Sequence, residues 1–208
     1  MKKIIDISWP LFPNMSEYKD RRSYKIMNTK QFESDGFRET VLSMNMHTGT
    51  HIDAPSHFLK DGKKINEIDI TQLWGPTQVI DLTHIEEKIT KNDLIHFSIT
   101  ENSRILLKTK NSFLEINQPY TPNFIYLELS GANYLAERKV AAIGIDYLGI
   151  ERNQADHQTH KLLFDNNIIV LEGIRLREVA AGNYDLICCP LNIIDAEASP
   201  ARAFLVQK

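Results

Sequence analysis

The sequence predicts an α/β fold with mixed sheets, in a single domain spanning residues 1–208. Three observations carry this expectation. In the second half, short apolar runs rich in Ile, Val and Leu alternate with helical patterns, as βαβ units require. In the first half, apolar runs are joined by turn residues with no helical pattern between them, which reads as antiparallel pairing. No repeat, low-complexity tract or linker interrupts the 208 residues, and a domain of that length buries a full core.

The elements follow in order. Residues 3–8 read as a strand, broken by Pro10 and Pro13. The polar segment 16–22 comes next, with Tyr18 in its middle. Residues 24–28 and 37–46 read as strands, and Glu33-Ser34-Asp35-Gly36 between them is a turn signal, so the two form a hairpin-like pair. Asp61-Gly62-Lys63-Lys64 predicts a turn, 67–73 a short helix and 77–82 a buried strand. A helical pattern covers 86–97, with Asn92 and Asp93 blurring its boundary. Residues 104–108 predict a strand, followed by a polar loop from 109 to about 123. A helix over 131–137, started by Ser130, leads to an apolar strand over 140–146. A helix over 155–164 and strands over 168–171, 184–189 and 203–206 complete the sheet.

Composition narrows the function. Hydrophobic content of 42% and charge of 25% are ordinary for a soluble globular chain. A net charge of −3 gives no electrostatic case for nucleic acid or an anionic membrane as partner. No apolar run approaches a membrane span, and Met1-Lys2-Lys3-Ile4-Ile5-Asp6 meets a charge too soon for a signal peptide. The expectation is a cytoplasmic protein acting on a small molecule. Cys188 and Cys189 sit together in an apolar run and read as core residues.

The chemistry concentrates in His47, His51, Asp53 and His57, which fall within eleven residues as His-x3-His-x-Asp-x3-His. Imidazole nitrogens with a carboxylate oxygen suit a divalent metal. A helical arrangement is disfavoured, because Thr48-Gly49-Thr50 separates the first two histidines and Pro55 discourages helix before it. An extended run puts His47, Gly49, His51, Asp53, Pro55 and His57 on one face. Gly49 would then leave room for a ligand or a water, and Asp53 could bridge two metals with its two oxygens. A structural zinc site is the competing reading; it would be closed by four protein ligands and would more often use Cys.

Two further signals lie downstream. His157 and His160 share a helix face with Phe164, and the residues alone leave open which histidine matters. Glu172 follows the apolar run Ile168-Ile169-Val170-Leu171, where an unpaired carboxylate is costly to bury. It needs a metal, or Arg175 or Arg202 as partner. His84 and His96 read as surface residues.

The run His47-Thr48-Gly49-Thr50-His51-Ile52-Asp53-Ala54-Pro55-Ser56-His57-Phe58 resembles the HxGTHxDxPxHF signature of the cyclase family of metal-dependent hydrolases, which includes bacterial kynurenine formamidases and isatin hydrolases. Further likeness covers Ile5-Asp6-Ile7-Ser8, Gly144-Ile145-Asp146, His160-Lys161-Leu162-Leu163, Leu171-Glu172-Gly173 and Ala198-Ser199-Pro200-Ala201-Arg202-Ala203. The resemblance implies a swivelling β/β/α domain and a homodimer. It implies one metal held by His47, His51 and Asp53, a second held by Asp53, His160 and Glu172, and His57 as the acid/base residue. Zinc is the metal usual in the family, with manganese in the isatin-cleaving branch. A divalent ion lowers the pKa of its water from 15.7 to about 7. The expected function is therefore hydrolysis of a small amide, formamide or lactam.

The resemblance has two departures. Formamidases tend to carry Trp-Pro-Gly-Asp where this chain has Glu17-Tyr18-Lys19-Asp20, so Tyr18 would stack on an aromatic substrate in place of the Trp. After Gly144-Ile145-Asp146 the chain continues Tyr147-Leu148-Gly149-Ile150, where formamidases tend to have a small residue, Pro and Ser. Kynurenine formamidase therefore stands as the alternative substrate reading, and a metal-stabilised binding protein without turnover as the alternative of another class. Phe58, with Phe12 and Phe37, is a candidate lining for an aromatic-tolerant pocket. For His57, a third-ligand role or an outer-partner role is the competing reading.

Overall fold

Seven strands close on themselves, and one three-residue strand makes the closure. The computed structural model describes residues 3–207. In chain order its strands are β1 (Ile4–Asp6), β2 (Lys25–Lys30), β3 (Glu39–Ser43), β4 (His51–Asp53), β5 (Trp74–Asp81), β6 (Lys88–Ile89), β7 (Arg104–Lys108), β8 (Tyr126–Leu127), β9 (Ala142–Ile145), β10 (Ile169–Glu172), β11 (Gly182–Pro190) and β12 (Ala198–Gln207). The α-helices are α1 (Phe32–Asp35), α2 (Lys91–Leu94), α3 (Leu129–Glu137) and α4 (Gln158–Asp165). The main sheet runs β1-β12-β11-β5-β7-β9-β10-β4, and β4 pairs again with β12. β5, β7, β9 and β10 are parallel neighbours, and the other pairings in this sheet are antiparallel. The expected α/β class with mixed sheets is what the chain adopts.

The central strands are buried on both faces, which is why they read as continuous apolar runs. Val79, Leu106, Ala142, Leu171, Ile52, Leu186 and Leu205 come one from each of the seven strands and form the interior core. Their chain neighbours Ile80, Leu107, Ile143 and Val170 face outward, where they pack with Leu135 of α3 and Leu163 of α4. A third cluster of Trp9, Met15, Phe124, Tyr147 and Leu148 buttresses one end.

Several local expectations are corrected. The 86–97 segment is not one helix: β6 pairs with β8, and α2 covers only four residues. Asp93 accepts from the backbone N–H and hydroxyl of Thr90, so the helix starts late on a capping box. The 67–73 segment is two 3-10 turns, Ile65–Glu67 and Ile70–Leu73. The 155–164 helix is broken at Asp156 and His157, both at φ 53°, and α4 starts at Gln158. β12 is ten residues long, because Ala198, Ser199 and Pro200 join it despite weak strand propensity, lying opposite β4. Cys188 is buried as expected, but Cys189 alternates to the exposed side of β11. His84 and His96 are exposed, as read. The 24–28 and 37–46 runs do pair, as β2 and β3, and all residues of both strands are exposed.

One backbone contact decides where the end of β10 can lie. Gly173 has φ +69°, and a Cβ there would fall 2.1 Å from the Gly49 carbonyl oxygen. The Thr50 hydroxyl donates to the Gly173 carbonyl at 2.6 Å, and Gly173 N–H donates to Tyr147 O at 2.7 Å. Gly173→Ala combines left-handed strain with a clash against backbone, and is expected to destabilise the fold by roughly 2–4 kcal/mol, read as a lower urea midpoint at unchanged slope.

Candidate metal centre and active site

β4 lies between β10 and β12, antiparallel to both, with His51 opposite Glu172 and Pro200, and Asp53 opposite Val170 and Ala198. Side chains alternate along a strand, so with Ile52 pointing inward, His51 and Asp53 point outward. By the same alternation Glu172 shares the outward face of Val170. α4 packs on β10 and carries His160 onto that face. His47 arrives from the turn before β4, and His57 from the 3-10 turn Pro55–His57 after it. The extended run expected over 47–57 is therefore confined to three residues.

His51, Asp53, His160 and Glu172 are buried. Asp53 Oδ1 lies 2.8 Å from His47 Nδ1 and 3.4 Å from His51 Nε2, while Oδ2 lies 3.5 Å from His160 Nε2. Glu172 Oε2 is 3.3 Å from His51 Nε2, and Oε1 is 3.3 Å from His160 Nε2. Hydrogen bonds are shorter than most of these separations. Donors bound at 2.0–2.1 Å around a tetrahedral ion sit about 3.3 Å apart. His51 Nε2, His160 Nε2 and Asp53 Oδ1 make no hydrogen bond although buried. Such atoms ask for a partner, and the donor set fits a divalent cation.

The outer nitrogen of each imidazole faces an acceptor. His51 Nδ1 is 3.0 Å from the Gly49 carbonyl, so Nδ1–H donates there and Nε2 is the nitrogen turned toward the carboxylates. His160 Nδ1 is 3.0 Å from Glu151 Oε1, and His47 Nε2 is 3.3 Å from Glu197 Oε1. The same Glu151 oxygen bonds His157 Nδ1 at 2.6 Å, and its other oxygen accepts from the N–H of Thr159 at 3.1 Å.

Electrostatics follow from two buried carboxylates side by side. Burial and the neighbouring Asp53 would raise Glu172, but contacts to His160 and His51 bring it down to about 2. Burial would likewise raise Asp53, and His51, His160 and His47 hold it well below the carboxylate range. Burial depresses His51, yet Asp53 and Glu172 raise it to about 10. His160 is raised well above its usual value, against burial, by Asp53, Glu151 and Glu172. His57 goes the other way: burial lowers it to about 4, with His47 and His160 adding to the drop and Asp53 opposing it.

The cleft above these groups has a volume of about 380 Å³, with Tyr18 and Phe58 among its lining residues. The Cyclase family model ("Putative cyclase") matches residues 5–152, most of the chain. The chain belongs to this family. Among curated relatives of this Cyclase chain, a kynurenine formamidase of Bacillus anthracis is 37% identical over 207 residues, covering 98% of this chain and 97% of the relative. A predicted metal-dependent hydrolase from Bacillus stearothermophilus has a solved structure with TM-score 0.89 at 37% identity, covering 100% of both chains. An isatin hydrolase A from Labrenzia aggregata, at 22% identity, shares the fold with TM-score 0.83, covering 99% of this chain and 94% of its own.

Within this member of the family, the side chains of His47, His51, Asp53, His160 and Glu172 meet, and of the two histidines that the residues left open it is His160 that joins them. His57 stacks against His47 with ring centroids 4.2 Å apart. One ligand-type atom each from His47, Asp53 and His57 lies within 4.8 Å of the others, so a ligand role for His57 is sterically open. Neither Arg175 nor Arg202 meets Glu172: Arg175 donates to Ser112 O and Leu114 O, and Arg202 pairs with Asp6. Gly49 faces Leu11 and Met15 at φ +66°, so it serves the turn and not the cleft. Phe12 packs on the third apolar cluster and Phe37 is 52% exposed on the hairpin, so neither lines the cleft. Sequence reasoning missed Glu151 and Glu197. Neither stands out by spacing: Glu151 follows Leu148-Gly149-Ile150 and opens the polar run Arg152-Asn153-Gln154.

In the metal-free state, protons on His51 and His160 neutralise the carboxylates at neutral pH. Metal must displace them, so binding should release protons and tighten as pH rises from 6 to 8. Calorimetry of zinc or manganese binding in buffers of different ionisation enthalpy measures this. A binding heat independent of buffer would contradict the charge balance described.

Proposed function

We propose that this chain is a metal-dependent hydrolase that cleaves the C–N bond of a small amide, formamide or lactam. The observation that carries the reading is that buried His51 Nε2 and His160 Nε2, neither with a hydrogen-bond partner, each lie 3.3–3.5 Å from one oxygen of Asp53 and one of Glu172, near a tetrahedral edge. His47, His51 and Asp53 would hold one divalent ion, and Asp53, His160 and Glu172 a second, with Asp53 shared. The two Asp53 oxygens face different imidazoles, which supports the sharing. Zinc or manganese suits the donor set.

A cation bound there supplies water that ionises near neutral pH and polarises the scissile carbonyl. The chain's own residues do the rest. His57 is neutral at pH 7, because burial holds it near 4, so it can accept the proton of the attacking water and pass it to the departing nitrogen. Phe58, with its ring centroid 4.0 Å from that of His57, limits solvent at this imidazole. Glu151 and the Gly49 carbonyl hold His160 and His51 with their Nε2 atoms inward. Tyr18 and Phe58 offer aromatic surface to a ring on the substrate. A positioned acid/base group contributes about 10²–10⁴-fold.

Kynurenine formamidase is the specific alternative, supported by the curated relatives at 33–37% identity; it would assign the chain to tryptophan breakdown. The reading includes a cytoplasmic homodimer. No helix among the described residues is long and apolar enough to cross a membrane. The hairpin β2–β3 leaves Ile26, Met27, Val41 and Leu42 each about half exposed, a surface suited to a second copy. Sedimentation of the native chain checks this, with a monomer at micromolar concentration counting against it.

Three measurements test the chemistry. His57→Ala is expected to keep near-normal metal content while lowering kcat at least 10²-fold; loss of metal would make His57 a ligand. Adding N-formylkynurenine and following kynurenine absorbance separates the formamidase from a hydrolase of other small amides. Metal removal should abolish turnover and leave the apolar cores folded; unfolding on chelation would favour a structural site instead.

A further inference from the structure

Metal-type side chains meet a second time in this cleft, and two of the three are not among the five residues of the centre. Glu151 Oε1 lies 2.6 Å from His157 Nδ1 and 3.0 Å from His160 Nδ1. One ligand-type atom from each of the three lies within 4.8 Å of the other two. All three line the wall of the cleft. The His160 ring divides this cluster from the centre, with Nε2 toward Asp53 and Glu172 and Nδ1 toward Glu151.

Two observations mark the cluster as more than a hydrogen-bonded pair. His160 is buried and its Nδ1 completes no hydrogen bond, although Glu151 Oε1 lies 3.0 Å away. A buried nitrogen left in that state asks for a partner. Glu151 is buried too, and among the described residues its only ion-pair partners are these two imidazoles. Its chain neighbour Arg152 turns instead to the Phe124 carbonyl and to Glu87. The other oxygen, Oε2, fixes the carboxylate by accepting from Thr159 N–H at 3.1 Å and His160 N–H at 3.4 Å. Oε1 is thereby aimed between the two rings. His157 reaches it from the left-handed turn before α4, and its half-exposed side chain opens the group to solvent.

We propose that Glu151, His157 and His160 form a further divalent-cation site on the cleft wall, one that takes zinc in preference to calcium or magnesium. Two nitrogens and one oxygen suit a borderline ion, whereas the hard cations require more oxygens. Donors around a tetrahedral ion sit about 3.3 Å apart, so His157 has to withdraw from Glu151 by only about 0.7 Å. On binding, His160 gives its Nδ1 proton to solvent and then stands between two cations. Like charges across one imidazole repel, so this ion is held more weakly than the metal at the centre and leaves first. The site goes beyond the hydrolase reading and does not depend on turnover.

The test counts zinc per chain by equilibrium dialysis, wild type against His157→Asn. Asn tolerates the left-handed backbone at this position and supplies no imidazole. At saturating zinc the wild type is expected to hold one ion more than the variant, and to lose that ion first as a chelator is titrated in. The remaining zinc should leave both proteins at the same chelator concentration. Glu151→Gln should lack the same outer ion. Equal counts in wild type and His157→Asn overturn the proposal, as does an outer ion that persists in Glu151→Gln. A variant His157→Asn that binds its remaining zinc about tenfold more weakly than wild type also overturns it, because His157 would then only steady Glu151 behind His160. Calcium in place of zinc is expected to show no difference between wild type and variant, and a difference overturns the assignment to a borderline cation.

Discussion

Two buried carboxylates on one face of the barrel are the constraint around which the rest is arranged. Asp53 and Glu172 stand on adjacent strands and raise each other's cost of ionising. Left alone, one would take up a proton. Both are instead held ionised by a ring of imidazoles, and the imidazoles are correspondingly basic. The metal-free protein is thereby stabilised from two sides. His51, raised to about 10, contributes below its unfolded value near 6.5 and ceases to contribute as pH climbs through 10. Glu172, lowered to about 2, contributes above its unfolded value near 4.5 and ceases to contribute as pH falls through 2. A cation replaces the protons with a larger, localised charge and removes the need for basic histidines.

That arrangement depends on the smallest strand of the barrel. β4 supplies only three residues, yet it closes the sheet between β10 and β12. Its alternation puts Ile52 into the core and the two polar side chains outside. A slip of one residue would send His51 and Asp53 into the apolar interior. The contact between Gly173 and the Gly49 carbonyl, with the Thr50 hydroxyl on the Gly173 carbonyl, guards against such a slip. Register and metal geometry are therefore one property.

Much of this was legible beforehand, for definable reasons. Ligand type and tight spacing exposed His47, His51 and Asp53, because such density on one short segment has little other use. Glu172 was legible as a carboxylate at the end of an apolar strand. The wrong readings share a cause: they depend on which way a turn points. Gly49 was given to the cleft on period-two reasoning, but a left-handed turn aims it at Leu11. The 86–97 helix followed propensity, while β6 exists only because β8 lies beside it. Glu151 and Glu197 were invisible because an orienting carboxylate is defined by its tertiary neighbour and carries no spacing of its own.

The two histidines that the residues alone left unresolved differ in the structure by one feature. Both reach the same oxygen of Glu151 through Nδ1. The left-handed pair Asp156 and His157 starts α4 late, so His160 lies on the helix face toward β10 and His157 just outside it. His160 is thereby buried with Nε2 toward Asp53 and Glu172, whereas the His157 side chain is 56% exposed and stacks on Phe58. Glu151 thus joins a deep imidazole to one on the cleft wall. The wall of the cleft and its floor are therefore joined through that single carboxylate.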